Sequence, residues 1–135
     1  MAGTNEQQGA PQPNHKEEPA LVELQDVGTV TVLTVGNANI YPLQANEIAT
    51  KIKAAILNTQ PPRILVDMSP VEFMCSAMLG KLIQASKLAK ERSGELKLCA
   101  QTERVLYSMN LVKLGDVLHV ANDRQELLDA FGTAP

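Results

Sequence analysis

The chain has 135 residues, 44% hydrophobic but only 3% aromatic, with 12 basic against 15 acidic groups and a formal net charge of −3. That length fits one soluble domain, and no apolar run is long enough to span a bilayer. No Lys/Arg cluster offers a counterion-release surface for DNA or RNA, and no basic amphipathic stretch suits an anionic membrane, so neither kind of binding is expected.

Met1 to Pro19 is built from Gln, Pro, Gly, Asn, Glu and Lys with little to bury, which predicts a disordered polar tail over residues 1–19. It lacks the basic start and apolar core of a secretion signal, so a reducing, cytoplasmic location is expected. A single domain should occupy residues 20–132, followed by a short tail at 133–135. Leu21–Gln25 and Thr29–Val35 are rich in β-branched residues and joined across Asp26-Val27-Gly28, which predicts a hairpin with Gly28 at positive φ. Gly36-Asn37-Ala38-Asn39 breaks the second strand, with Asn39 read as a turn residue. After Pro42, Ala45, Ile48, Ala49, Ile52, Ala55 and Ile56 recur at helical spacing until Asn58-Thr59-Gln60-Pro61-Pro62.

Ile64-Leu65-Val66 is a continuous apolar run of the kind covered on both faces, closed by Asp67 and the turn Ser69-Pro70. From Ser76 a long helix is predicted by Leu79, Leu82, Ile83, Ser86 and Ala89. Lys87, Lys90 and Arg92 suit its negative end, and Gly94 is placed to stop it. Leu96, Leu98 and Ala100 alternate with Lys97 and Cys99, a half-exposed strand. Thr102 is the expected N-cap of a short helix through Val105, Leu106 and Met109, with Asn110 as left-handed C-cap. Val117–Val120 is the last strand, and Asp123 caps a closing helix whose apolar face is Leu127, Leu128 and Phe131 before Gly132. The order β-β-α-β-α-β-α-β-α implies an α/β fold, with an N-terminal antiparallel hairpin, then β-α units with parallel strands, flanked by about four helices.

The chemical inventory is sparse. Two cysteines, Cys75 and Cys99, and two histidines, His15 and His119, form no C-x-x-C, no H-E-x-x-H and no helical ligand pair, so no metal is expected. Phosphate-cradling and nucleophile-elbow glycine motifs are missing as well, which leaves no cofactor expected and favours a binding or regulatory module over an enzyme. His119 reads as a structural histidine within an apolar strand. Nothing pairs it with Ser76, and no Cys75–Cys99 disulfide is expected. Lys51, Lys53, Glu91 and Arg92 read as solvated helix faces.

One segment carries more. Val71-Glu72-Phe73-Met74-Cys75-Ser76-Ala77-Met78-Leu79-Gly80 resembles the V-x-F-[IM]-D-S-S-G-L-G signature of the STAS domain family, the sulphate transporter and anti-sigma factor antagonist family. Ile64-Leu65-Val66-Asp67-Met68 is similar to the family strand ending in Asp. Leu106-Tyr107-Ser108-Met109-Asn110-Leu111 resembles its L-x-x-x-G-L helix end, and Gly36-Asn37-Ala38-Asn39 its G-x-[IL]-D. The likeness covers nearly everything from Ala20 to Gly132 and implies a STAS-like mixed sheet.

In family members of the stand-alone antagonist type, the first serine of D-S-S-G is phosphorylated by an anti-sigma factor serine kinase. The resemblance implies that role for Ser76, with release of a sigma factor as output. Four positions depart from the pattern: Cys75 for Asp, Ala77 for Ser, Met78 for Gly and Asn39 for the earlier Asp. They make the site less acidic and suggest a soft surface including Phe73, Met74 and Met78. The candidate partner contacts are therefore Asn39, Met74, Cys75, Ser76, Ala77 and Met78. Two plainer readings stand beside these: Ser76 as a helix N-cap, and Met74 and Met78 as core filler. The departures also leave open an unphosphorylated STAS accessory or sensing module, for example in a lipid-transport assembly.

Overall fold

The computed structural model describes residues 16–111, 113–114 and 118–131. Residues 1–15 of the expected tail, Val117, Gly132 and the tail at 133–135 lie outside the described residues. The hairpin forms from β1 (Val22–Val27) and β2 (Val30–Val35), antiparallel with Val27 opposite Val30. Its turn is therefore the two residues Gly28-Thr29, shorter than the three-residue breaker in the sequence. Gly28 has φ 61°, which a two-residue turn compatible with strand twist demands and which glycine adopts without a Cβ clash.

The elements that follow are β3 (Asn39–Ile40), α1 (Pro42–Leu57), β4 (Arg63–Asp67), β5 (Phe73–Met74), α2 (Ser76–Glu91), β6 (Glu95–Cys99), α3 (Glu103–Leu111), β7 (His119–Ala121) and α4 (Arg124–Ala130). The main sheet runs β1-β2-β4-β6-β7, with every pair after the hairpin parallel, and β3 and β5 make a separate parallel pair. The expected α/β architecture is thus present. The last strand begins at His119, later than the sequence suggested.

The strand period of two sorts the core onto two faces. Leu33, Val35, Ile64, Val66, Leu96 and Leu98 pack with α1, α2 and α3. Val32, Leu65 and Cys99 pack on the opposite face against Leu127 and Phe131 around α4. This second layer corrects the reading of β6 as half-exposed: Lys97 and Cys99 are both buried. Lys97 Nζ pairs with Glu95 at 2.7 Å and lies 5.0 Å from the centre of the Phe131 ring. The long aliphatic stem is covered and the charged end is satisfied, the usual condition for burying a lysine. His119 is exposed, which corrects the expectation of an apolar setting, while its Nδ1 lies 3.3 Å from Lys97 Nζ, as for a structurally partnered histidine.

Two helix ends also differ from expectation. Asn110 lies inside α3, and the left-handed residue beyond it is Lys113, φ 53°. At the end of α2 the left-handed residue is Ser93, φ 63°, with Ser93 N donating to Lys90 O and Gly94 N to Ala89 O. These two bonds form a Schellman motif in which Gly94 is the second residue past the cap. Gly94 serves close approach instead: a Cβ built there would lie 2.0 Å from the Pro62 carbonyl oxygen. That carbonyl accepts from Glu95 N, so it is held in place. Gly94→Ala is accordingly expected to lower stability by about 2–3 kcal/mol in urea unfolding, whereas Ser93→Gly should be neutral or stabilising by up to about 1 kcal/mol.

Candidate functional site

Two short strands assemble the site. β3 and β5 pair Asn39 with Phe73 and Ile40 with Met74. Backbone bonds fasten the flanks: Glu72 N and Phe73 N donate to Ala38 O, and Cys75 N donates to Ile40 O at 2.9 Å. The loop between β4 and β5 is tied at its other side by Met68 N to Cys99 O and by the Thr102 hydroxyl to Val71 O. Thr102 stands at the head of α3, where its carbonyl accepts from Leu106 N, but its hydroxyl is committed to Val71, so it does not cap through its side chain as expected.

This frame delivers the chain into α2. Cys75 is the N-cap, with φ −72° and ψ 160° and no side-chain cap bond, and Ser76 is the first helical residue. The reading of Ser76 as N-cap is corrected by that offset of one residue. Ser76 and Ala77 are exposed, Cys75 and Asn39 half-buried. Met74 and Met78 are buried in the core, Met78 completely. They are corrected from partner contacts to core filler, because β5 turns Met74 inward and the helical phase places Met78 one turn before Leu82. Gly80, one turn beyond Ser76, is also exposed, and a Cβ there would meet nothing within 4 Å. The outer face at the start of α2 is therefore made of small side chains.

The first turn of α2 carries no acidic residue, so the positive end of the helix dipole is met neither by a cap nor by a carboxylate. Restoring the family aspartate by Cys75→Asp is expected to stabilise the protein by about 0.5–1 kcal/mol in urea unfolding, since a carboxylate at the N-cap can accept from the second or third helical amide.

Polar side chains that the sequence did not single out hold the segment beside β3. Asn37 and Gln44 are buried. Asn37 accepts from Leu21 N and donates to Pro19 O, while Gln44 accepts from Tyr41 N and donates to Glu18 O. Ala20 N donates to Glu47. Backbone anchoring thus reaches back at least to Glu18, two residues before the domain start expected from composition. Tyr41 in turn packs against Phe73 with ring centroids 5.4 Å apart and the ring planes tilted by 46°. The only sequence signal for this strap is a glutamine three residues after Tyr41 at a helix start, the spacing of a capping box.

A second polar group lies under α4. Asp67 accepts from Ser69 N at 3.0 Å, from the Ser69 hydroxyl at 2.5 Å and from Arg124 at 3.4 Å. Ser69 Oγ is 3.5 Å from Cys99 Sγ. Burial pushes the Cys99 thiol up; the Ser69 hydrogen bond opposes this and the Asp67 charge adds to it. These contacts pin the turn that opens the β4–β5 loop and occupy the Asp67 carboxylate. Both cysteines are free thiols. Among the described residues no group of three or more His, Cys, Asp or Glu side chains could hold a metal ion, and no helix is long and apolar enough to cross a membrane.

Comparisons with known proteins match this arrangement. The family model described as STAS domain matches residues 21–127. Among solved structures, an anti-sigma factor antagonist from Mycobacterium paratuberculosis superposes with a TM-score of 0.74 at 21% identity, covering 82% of this chain and 92% of that one. An anti-sigma-factor antagonist (STAS) domain protein from Planctomyces limnophilus gives 0.73 at 23% identity, covering 83% and 98%. The Bacillus cell fate determinant SpoIIAA in its phosphorylated form gives 0.61 at 18% identity, covering 82% and 99%. Among curated proteins no significant sequence match is found.

Proposed function

The chain belongs to the STAS domain family, and on that premise we propose that it is a cytoplasmic bacterial anti-sigma factor antagonist that acts by protein binding. Its partner is an anti-sigma factor serine kinase, its contact surface is Asn39, Cys75, Ser76 and Ala77, and phosphorylation of Ser76 is the switch that governs sigma factor release. It turns over no substrate of its own. The observation that carries this reading is the exposed Ser76 at the first position of an uncapped helix with no acid in its first turn. A phosphate there carries about −1.5 to −2 charge into the favourable end of the helix dipole. The small, open face at Ala77 and Gly80 supports the same reading, since a glycine in mid-helix is less favourable than alanine by about 1 kcal/mol and has no steric reason inside the domain.

The test is recovery of the protein from its native cell, followed by intact mass. A kinase partner and a fraction one phosphate heavier, mapped to Ser76, is the expected result. A transporter or receptor partner with no phosphate would overturn it and make the chain a STAS accessory subunit, as the replacements at Cys75, Ala77 and Asn39 would then explain.

A further inference from the structure

Helices α1 and α2 lie side by side on one face of the sheet, and together they carry more bases than acids. They carry Lys51, Lys53, Lys81, Lys87 and Lys90 against Glu47 and Glu91, in a chain that has 12 basic and 15 acidic groups in all. The Glu47 carboxylate is engaged by Ala20 N at 2.7 Å. Between the helices runs a groove of about 260 Å³ lined by Ala49 and Lys53 of α1 and by Lys81, Gln84, Ala85 and Leu88 of α2. Its floor is half-buried Ala49, Ala85 and Leu88, small or apolar, and one lysine from each helix contributes to its walls. On α2, Ala77, Lys81, Gln84 and Leu88 recur at four, three and four residues, a single stripe. Followed toward the start of α2, the stripe leads from the groove at Lys81 to Ala77, beside Ser76.

We infer that this groove docks an acidic amphipathic helix of the protein that engages Ser76. An apolar stripe would settle on the alanine and leucine floor while its flanking carboxylates meet Lys53 and Lys81, a ridge laid into a groove between two helices. A membrane fits less well. The exposed large apolar residues of α1 and α2, Leu43 and Leu57, stand at opposite ends of α1 and make no continuous band to insert. A second copy of the chain fits less well too, because the acidic helix α4 already spends its apolar side on its own core through Leu127. The docking reading stands on the groove itself; its link to Ser76 rests on the proposed switch, since a phosphoserine at the head of the groove would repel an acidic occupant.

The test uses the full chain labelled with nitrogen-15 and a synthetic helix of about 14 residues, roughly 20 Å long, with Leu and Ala on one side and Glu on the other. Saturable amide shifts centred on Ala49, Lys53, Lys81, Gln84, Ala85 and Leu88 are expected. Binding should weaken at least about tenfold in Lys53→Glu/Lys81→Glu and fall with added salt. Lys53→Ala/Lys81→Ala, with unfolding midpoints compared, guards against a folding artefact. No saturation at about 1 mM peptide, unchanged affinity in either double variant, or equal binding of a Lys-for-Glu peptide would overturn the inference. So would stronger partition onto phosphatidylglycerol vesicles, or self-association of the chain that is lost in the charge-reversed variant. Weaker peptide binding by Ser76→Asp supports the link to the switch, whereas unchanged binding by that variant overturns the link and leaves the docking site standing.

Discussion

Replacing Met78 with glycine, the residue that the family pattern places there, is expected to destabilise the protein by about 3–6 kcal/mol, a large part of the stability of a domain this size. Met78 is completely buried, in one cluster with Ile40, Met68, Val71, Met74 and Leu82. Removing its side chain leaves a void between the β3–β5 pair and the first turn of α2, which backbone bonds on both sides keep from collapsing. Truncation of a buried methionine to alanine costs about 2–5 kcal/mol, and glycine adds about 1 kcal/mol of helix propensity. Met78→Leu conserves volume and should cost less than about 1.5 kcal/mol. Urea unfolding checks both: the midpoint should fall steeply for glycine and little for leucine, with the slope unchanged. A glycine variant as stable as the parent would mean that Met78 does not fill this core.

The misplacement of Met78 in the sequence reading has a physical origin. It sits two residues after Ser76, where a departure from a motif draws attention to function. Yet the stripe Leu79, Leu82, Ile83, Ser86 and Ala89, extended one turn backward, already includes position 78. Met74 carried no such signal, because a two-residue strand such as β5 has no period. Beyond the spacing of Gln44 from Tyr41, the strap made with Asn37 escapes the sequence for a different reason: its other bonds join residues 16 to 26 positions apart, side chain to backbone. Nothing local encodes that pairing.

The alternation in β6 misled in the same way. Lys97 and Cys99 read as an outer face until Leu127 and Phe131, far along the chain, close over them. Where the cause is local, the sequence was sufficient. Gly28 takes positive φ within a tight turn, Pro42 opens α1, and Asp123 caps α4 by accepting from Gln125 N and Glu126 N. The run Ile64-Leu65-Val66 is buried on both faces because a strand between parallel neighbours has helices above and below. At the site the motif located Ser76 at a helix start, but only the backbone frame distinguishes the cap, Cys75, from the exposed first residue.

Phosphorylation of Ser76 is expected to weaken binding to the proposed kinase partner on the order of a thousandfold, and to leave the fold intact. The two halves of that expectation have separate causes. Ser76 is exposed at the first position of α2, so its phosphate stays in water and gains about 0.3–1 kcal/mol from the helix dipole; Tm should hold or rise slightly. In the complex the same dianion would be stripped of water against a surface built for a hydroxyl beside Ala77 and Gly80. Burying a charge without a dedicated partner costs several kcal/mol, which is the thousandfold. Ser76→Asp carries a smaller charge on a shorter side chain and should weaken binding about tenfold, while Ser76→Ala keeps the affinity of the parent and cannot be switched. Calorimetric titration of the phosphorylated protein and both variants against the kinase tests the order. Affinities equal within about threefold would exclude the switch. A loss of affinity matched by a loss of Tm would mean that the charge had unfolded the head of α2, contrary to the dipole argument.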